Sequence, residues 1–181
     1  MADALYKLVV FGDGGVGKTS LVTRYLQGVF TGNTTMTIGV DFHTKTLNIN
    51  GTEVSLQIWD FAGEDRFRFL LPSYLRGANG GIFMYDITRY SSIKNFDAWL
   101  NVLRTEAEEE VKNMPILLVG GKSDLEQSRS ISKKEGRRLM ESKGLYNFIE
   151  CSAKTGENVE EVFYTITKRM LERSDILQVE P

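Results

Sequence analysis

The sequence predicts an α/β fold: a three-layer sandwich around a six-stranded, mostly parallel sheet with one antiparallel edge strand and five helices. Three observations predict it. Apolar, β-rich runs alternate with segments whose apolar residues recur at helical spacing, the pattern of strand–helix–strand units. Asn50-Gly51 separates two of the runs and is a strong hairpin signal, so one neighbouring pair is antiparallel. The 181 residues, 41% apolar and 25% charged, suit one soluble domain with a sizeable core.

The elements follow in order. ALYKLVVF, residues 4–11, reads as a strand buried on both faces, since polar residues hardly interrupt it. Beyond Lys18, Leu21, Val22, Tyr25 and Leu26 mark one face of a helix. DFHTKTLNI and TEVSLQIWD flank the Asn50-Gly51 turn as a hairpin. GGIFMYDIT is a strand, and Ile93, Phe96, Leu100 and Leu103 predict a long helix after it. MPILLVGG is the next strand. Ser132-x-x-Glu135 is a capping box that opens a helix. YNFIECS is the last strand, and Val159, Val162, Phe163, Ile166 and Met170 form the stripe of the last helix. Ligands of such sheets bind at the carboxyl ends of the strands. The loops after residues 11, 59, 87, 120 and 151 are therefore the expected site.

The first of these loops is GDGGVGKT, Gly12 to Thr19, which matches G-x-x-x-x-G-K-[ST]. Its glycines let successive backbone N–H groups curl around an anion, and the helix starting near Lys18 adds its positive end. Lys18 can reach outer phosphates. The Thr19 hydroxyl can hold Mg²⁺, a hard cation that prefers oxygen. In IWDFAGEDRF, Asp60 leaves a strand tip beside this loop and can hold Mg²⁺ through water, while Gly63 lets its N–H approach a terminal phosphate.

Composition excludes other classes. A net charge of −2 gives no basic field for nucleic acid. The single cysteine, Cys151, allows no internal disulfide and fits a reducing compartment. No apolar run approaches the roughly 20 residues of a membrane span. MADALYK resembles neither a signal peptide nor a myristoylation site, and DILQVEP carries no cysteine for prenylation. The expectation is a cytoplasmic monomer with no direct membrane anchor in this sequence, peripheral to membranes through partners.

With the glycine loop, DFAGE, GKSD (Gly121 to Asp124) and SAK (Ser152 to Lys154) form a set in order, and over almost its whole length the chain resembles a small GTPase of the Ras superfamily. IGVDF, LQIW, RFRFL, YLRGA and MYDIT resemble the signature stretches of its Rab branch. The resemblance implies a P-loop G domain over residues 1–175 with a short tail, 176–181, and GTP or GDP with Mg²⁺ as ligands. Gly14, Gly15, Val16, Gly17, Lys18, Thr19 and Ser20 would cradle the phosphates. Phe30 would pack on the guanine edge and the stem of Lys122 along the base. Asp124 would accept from guanine N1 and N2, a donor pair adenine lacks. Ala153 would donate its N–H to O6, with Ser152 and Lys154 bracing the loop. Thr19 and Thr37 would ligate Mg²⁺, with Asp60 acting through water. Slow GTP hydrolysis would rest on Lys18, Thr37, Gly63 and Glu64.

The implied device is a switch. The γ-phosphate would grip Thr37 and Gly63, order residues 30–42 and 61–77, and release them on cleavage. Ile38, Phe42, Trp59, Phe67 and Leu70 would then change exposure, although Trp59 reads equally as core. Exchange factors, GTPase-activating proteins and effectors are partners by analogy, with vesicle trafficking or related signalling as the setting.

Two positions depart from the family. Glu64 stands where it carries the water-orienting glutamine. A carboxylate accepts but does not donate, so an altered intrinsic rate is expected, of either sign. Gly121 stands where it carries an asparagine that ties the base loop to the phosphate loop, so weaker binding and faster exchange than in a Gly121→Asn variant are expected. A nucleotide-gated binding module with negligible turnover is the alternative that Glu64 keeps open. An ATP-using kinase would need an acceptor site and a lid, and Asp124 argues against it. His43 reads as structural or surface and Cys151 as structural, Glu106 and Glu108–110 as a solvated helix end with a partner patch as the alternative, and Lys133, Lys134, Arg137 and Arg138 as an exposed helix face.

Overall fold

The computed structural model describes residues 1–32 and 36–179, with side chains through residue 174. Residues 33–35, inside the expected first switch loop, and 180–181, the end of the expected tail, lie outside the described residues. The strands are β1 (Ala4–Phe11), β2 (Val40–Ile49), β3 (Thr52–Phe61), β4 (Gly80–Asp86), β5 (Ile116–Gly121) and β6 (Asn147–Glu150). They form one sheet in the order β2-β3-β1-β4-β5-β6. Only the β2–β3 hairpin pair is antiparallel among these strands, and β2 is an edge.

Helices cover both faces. They are α1 (Lys18–Gln27), α2 (Leu71–Leu75), α3 (Tyr90–Lys94), α4 (Phe96–Glu106), α5 (Glu109–Lys112), α6 (Lys133–Lys143) and α7 (Val159–Val179), with single 3₁₀ segments at Asp65–Leu70 and Glu126–Ser128. β1 shows the layering. Leu8 and Val10 pack with Leu21, Val162 and Phe163 of α1 and α7, while Val9 and Phe11 pack with Phe83, Phe96 and Trp99 on the opposite face. All four β1 residues are fully buried, as expected of an uninterrupted apolar strand between two helical layers.

The helical segments outnumber the five expected because short ones split off. The long helix read from Ile93 breaks at Asn95, which ends α3 and starts α4 with a backbone near ψ −1°. Its side-chain amide goes to Asp13 in the glycine loop, 2.7 Å away. α6 opens with the expected capping box: Ser132 Oγ accepts from Glu135 N, and Glu135 Oε2 accepts from Ser132 N at 2.7 Å. In α7 Val159, Val162, Phe163, Ile166 and Met170 are all buried. The last helical turns run to Val179, across the expected tail boundary at residue 175.

Candidate functional site

The loops that leave β1, β3, β5 and β6 meet at one end of the sheet. The loop after β1 lies at the point where the chain order reverses, with β3 on one side of β1 and β4 on the other. A cavity of about 470 Å³ opens there. Gly14, Gly15, Val16, Gly17, Lys18, Thr19, Ser20, Phe30, Thr37, Gly63, Glu64, Lys122, Asp124, Ala153 and Lys154 all line it. Of the residues read from the sequence, Asp60 and Ser152 stand behind this lining.

The glycine loop needs its glycines. Gly12 has φ 141° and a Cβ there would lie 2.3 Å from the Met84 carbonyl oxygen, while Gly17 caps α1 at φ 105°. Several neighbours then fix the loop. Asp13 accepts from the Trp99 indole at 2.8 Å and from Asn95 at 2.7 Å. The Gly14 carbonyl accepts from Arg89 at 2.6 Å, and the Gly15 carbonyl accepts from Lys122 Nζ at 3.0 Å. Gly14 N donates to the Gly63 carbonyl at 3.1 Å, and a Cβ on Gly63 would come within 2.3 Å of that backbone. A loop held on this many sides presents its amides with little left to reorganise.

Lys18 is nearly buried and donates to the carbonyls of Gly12 (2.8 Å) and Asp13 (2.7 Å). Burial pushes its ammonium down to about 8, against the opposing pull of the Asp60 and Asp13 charges. Three oxygen-bearing side chains converge beside it. Thr19 Oγ1 donates to Asp60 Oδ2 at 2.6 Å and lies 2.6 Å from Thr37 Oγ1. Asp60 is fully buried, burial raises its pKa, and among the described residues its Oδ1 has no hydrogen-bond partner. A buried carboxylate oxygen left bare is costly, and hard oxygen donors around it suit Mg²⁺. Glu64 faces Arg66, with Oε2 2.5 Å from Nε.

The second half of the site rests on Lys122 and Asp124. Lys122 holds φ 64°, a conformation that costs energy outside glycine. Its Nζ pairs with Asp86 Oδ2 at 2.8 Å as well as with Gly15. Burial opposes ionisation of Asp86, but hydrogen bonds from Lys122 and Thr88 outweigh it and hold the carboxyl below the usual range. Ser152 Oγ donates to Asp124 Oδ1 at 2.7 Å, which aims that carboxylate and leaves its other oxygen available. Arg129 clamps the base of these loops through both oxygens of Glu150, at 2.7 and 2.8 Å.

Some neighbours were not legible. Gly32, Met36, Phe61, Met84 and Leu125 also line the cavity. Met84 reads in sequence as one more apolar strand residue, and no spacing rule links Arg89 to the glycine loop. Trp99 carried a usable signal, since it follows Phe96 at helical spacing. Cys151 is buried, and burial, helped by the Glu150 and Glu157 charges, pushes its thiol up to about 12.

Residues 7–172 match the family model described as Ras family. The chain is 44% identical over 166 residues to the Ras-related protein RABA5c of Arabidopsis thaliana, covering 92% of this chain and 76% of that protein. It is 42% identical over 172 residues to the Ras-related protein Rab-19 of Xenopus laevis, covering 95% and 79%. It is 43% identical over 162 residues to the Ras-related protein RGP2 of Oryza sativa subsp. japonica, covering 90% and 73%.

Proposed function

Since this chain belongs to the Ras family of small GTPases and is similar to its Rab proteins, we propose that it is a GTP/GDP-dependent switch that hydrolyses GTP slowly and serves membrane trafficking through state-specific partners. The single observation that carries the reading is the cavity at the strand ends, lined by the glycine loop, Thr37 and Asp124 and backed by Asp60 and Ser152.

Guanine is selected by the Asp124 carboxylate, whose free oxygen accepts from a base that offers adjacent N–H donors. Lys122 and Ala153 line the same wall. The phosphates lie against the amides of Gly14 to Ser20, and Lys18 exchanges its carbonyl partners for phosphate oxygens. Thr19, Thr37 and Asp60 would hold Mg²⁺, which supplies charge neutralisation of the phosphates when bound. The hydrogen bonds that Thr19 makes with Thr37 and Asp60 would be replaced in that state, and Asp60 Oδ1 would find a partner. Thr37 and Gly63 respond to the γ-phosphate, and the exposed Ile38 and Phe42 move with the loop and strand edge that carry them.

Hydrolysis is in-line attack of water on the γ-phosphoryl, accelerated by positioning and charge stabilisation. The Glu64 carboxylate accepts from the water. The donor that a glutamine amide would supply is missing from a carboxylate, but Arg66 is paired with Glu64 and carries both charge and N–H groups to the same place. Glu64 also favours the second reading, a binding module with negligible turnover, because a carboxylate cannot itself donate to a phosphate oxygen as a glutamine amide does.

The test is phosphate release from Mg²⁺GTP by the intact chain, with ATP as competitor. Slow release that excess ATP does not suppress is expected. ATP matching GTP overturns the guanine assignment, and GTP binding without release selects the binding module.

A further inference from the structure

A second cavity, of about 200 Å³, lies at the other end of the sheet. Pro115 and Ile116 at the entry of β5 and the Gly144–Tyr146 turn into β6 form its floor. α4, α5 and α7 form its walls and contribute Arg104, Lys112, Arg169 and Arg173, while Lys143 at the end of α6 completes the rim. Among the described residues every charged side chain that lines it is cationic, in a chain whose net charge is −2.

The carboxylates nearby do not neutralise it. Lys143 meets Asp97 at 2.7 Å and Lys112 meets Glu109 at 3.3 Å, but both acids are largely exposed, and such rim pairs are weak. Arg169 lies 3.6 Å from Glu172. Arg173 donates to the Asn113 carbonyl at 2.6 Å, and among the described residues no carboxylate pairs with it. The guanidinium of Arg169 is held over the Tyr146 ring at 5.2 Å, and among the described residues its buried Nε has no hydrogen-bond partner. A buried donor of this kind wants an acceptor. The cavity is several times the roughly 30 Å³ of one water.

We propose that this cavity is an anion site for a phosphate group, separate from the nucleotide cavity. A guanidinium fork matches a phosphate face in two parallel hydrogen bonds. Arg169 supplies the fixed element, Arg104 and Arg173 the adaptable ones, and Lys143 the point charge at the mouth. A free phosphate monoester and the phosphorylated headgroup of a lipid share this chemistry.

The experiment uses the whole chain loaded with Mg²⁺GDP, so that the glycine loop is filled. Inorganic phosphate is titrated while amide NMR shifts are followed. Shifts confined to residues 112–116 and 143–146, saturating and weakening with salt, are expected. The variants Arg104→Gln and Lys143→Gln, changed at exposed or rim positions, each lower the affinity several-fold and leave the GDP release rate unchanged. Arg104→Lys keeps most of the affinity. A second arm compares sedimentation with phosphatidylcholine vesicles containing phosphatidylinositol phosphate and with plain phosphatidylcholine vesicles. Selective sedimentation lost in Arg104→Gln assigns the site to a headgroup, and phosphate shifts without it assign it to a soluble ester. Phosphate that moves none of these amides, or moves them equally in the glutamine variants, overturns the proposal.

Discussion

Replacing Gly121 by asparagine tests how the two halves of the nucleotide site are tied together. A Cβ at residue 121 would sit 2.4 Å from Met84 Cε, 3.1 Å from the Val16 carbonyl oxygen and 3.4 Å from the Tyr85 carbonyl oxygen. The Met84 methyl therefore fills the notch between the end of β5 and the glycine loop. It also lies 3.5 Å from where a Gly17 Cβ would be. An asparagine amide in that notch would have the Val16 carbonyl within reach, and each hydrogen bond contributes about 1 kcal/mol net. Met84 must first rotate away. A thioether end is flexible, yet leaving a preferred rotamer costs about 1 kcal/mol, which offsets most of one bond. Gly121→Asn alone should slow GDP release by about threefold at most. Combined with Met84→Val, which clears the notch, it should slow release by about fivefold, the equivalent of about 1 kcal/mol. The assay is stopped-flow release of a fluorescent GDP analogue in Mg²⁺. A fivefold effect in the single variant would show that Met84 is no obstacle. A double variant no slower than the natural chain would show that tethering residue 121 to the glycine loop does not limit release.

Three further outcomes are expected. In single-turnover GTP cleavage, Arg66→Ala should slow the reaction about tenfold with Glu64 in place and have little effect in a Glu64→Gln background, since the ion pair at 2.5 Å is then gone; equal effects in both backgrounds would separate Arg66 from the chemistry. Lys18 titrates at about 8 in the folded nucleotide-free chain against an ordinary 10.5. The unfolded chain therefore binds more protons between these values, and Lys18 makes nucleotide-free stability rise with pH across that window. Phosphate charge restores the ammonium, so GDP binding there takes up close to one proton, read by calorimetry in buffers of different ionisation enthalpy; heats independent of buffer contradict this. Glu150→Ala should destabilise the fold by about 2 kcal/mol, because Arg129, whose side chain is only 14% exposed, loses its buried carboxylate partner and keeps only the exposed Glu126; denaturant unfolding of GDP-loaded protein measures it, and a loss under about 1 kcal/mol would mean that Glu126 and water replace the carboxylate.

The sequence by itself determined whatever a few consecutive residues decide. Apolar runs with and without polar interruption distinguish β1, buried on both faces, from the edge hairpin. Asn50-Gly51 sets the β2–β3 turn, and Ser132-x-x-Glu135 sets the start of α6, because turns and caps are closed by backbone groups within one turn of the chain. GDGGVGKT was legible for the same reason, since positive φ and bare amides are local requirements. The tertiary structure alone decided what braces that loop. Arg89 reaches Gly14 from 75 residues away and Trp99 reaches Asp13 from 86, and such contacts exist only once β1 and β4 are neighbours in the sheet. The break at Asn95 has that origin too: the Asp13 carboxylate that takes its side-chain amide comes from a distant loop. Met84 in the Gly121 notch and the gathering of Arg104, Lys143 and Arg173 around one cavity are likewise products of strand order. Periodicity says which face of an element is apolar. It does not say which distant element that face will meet.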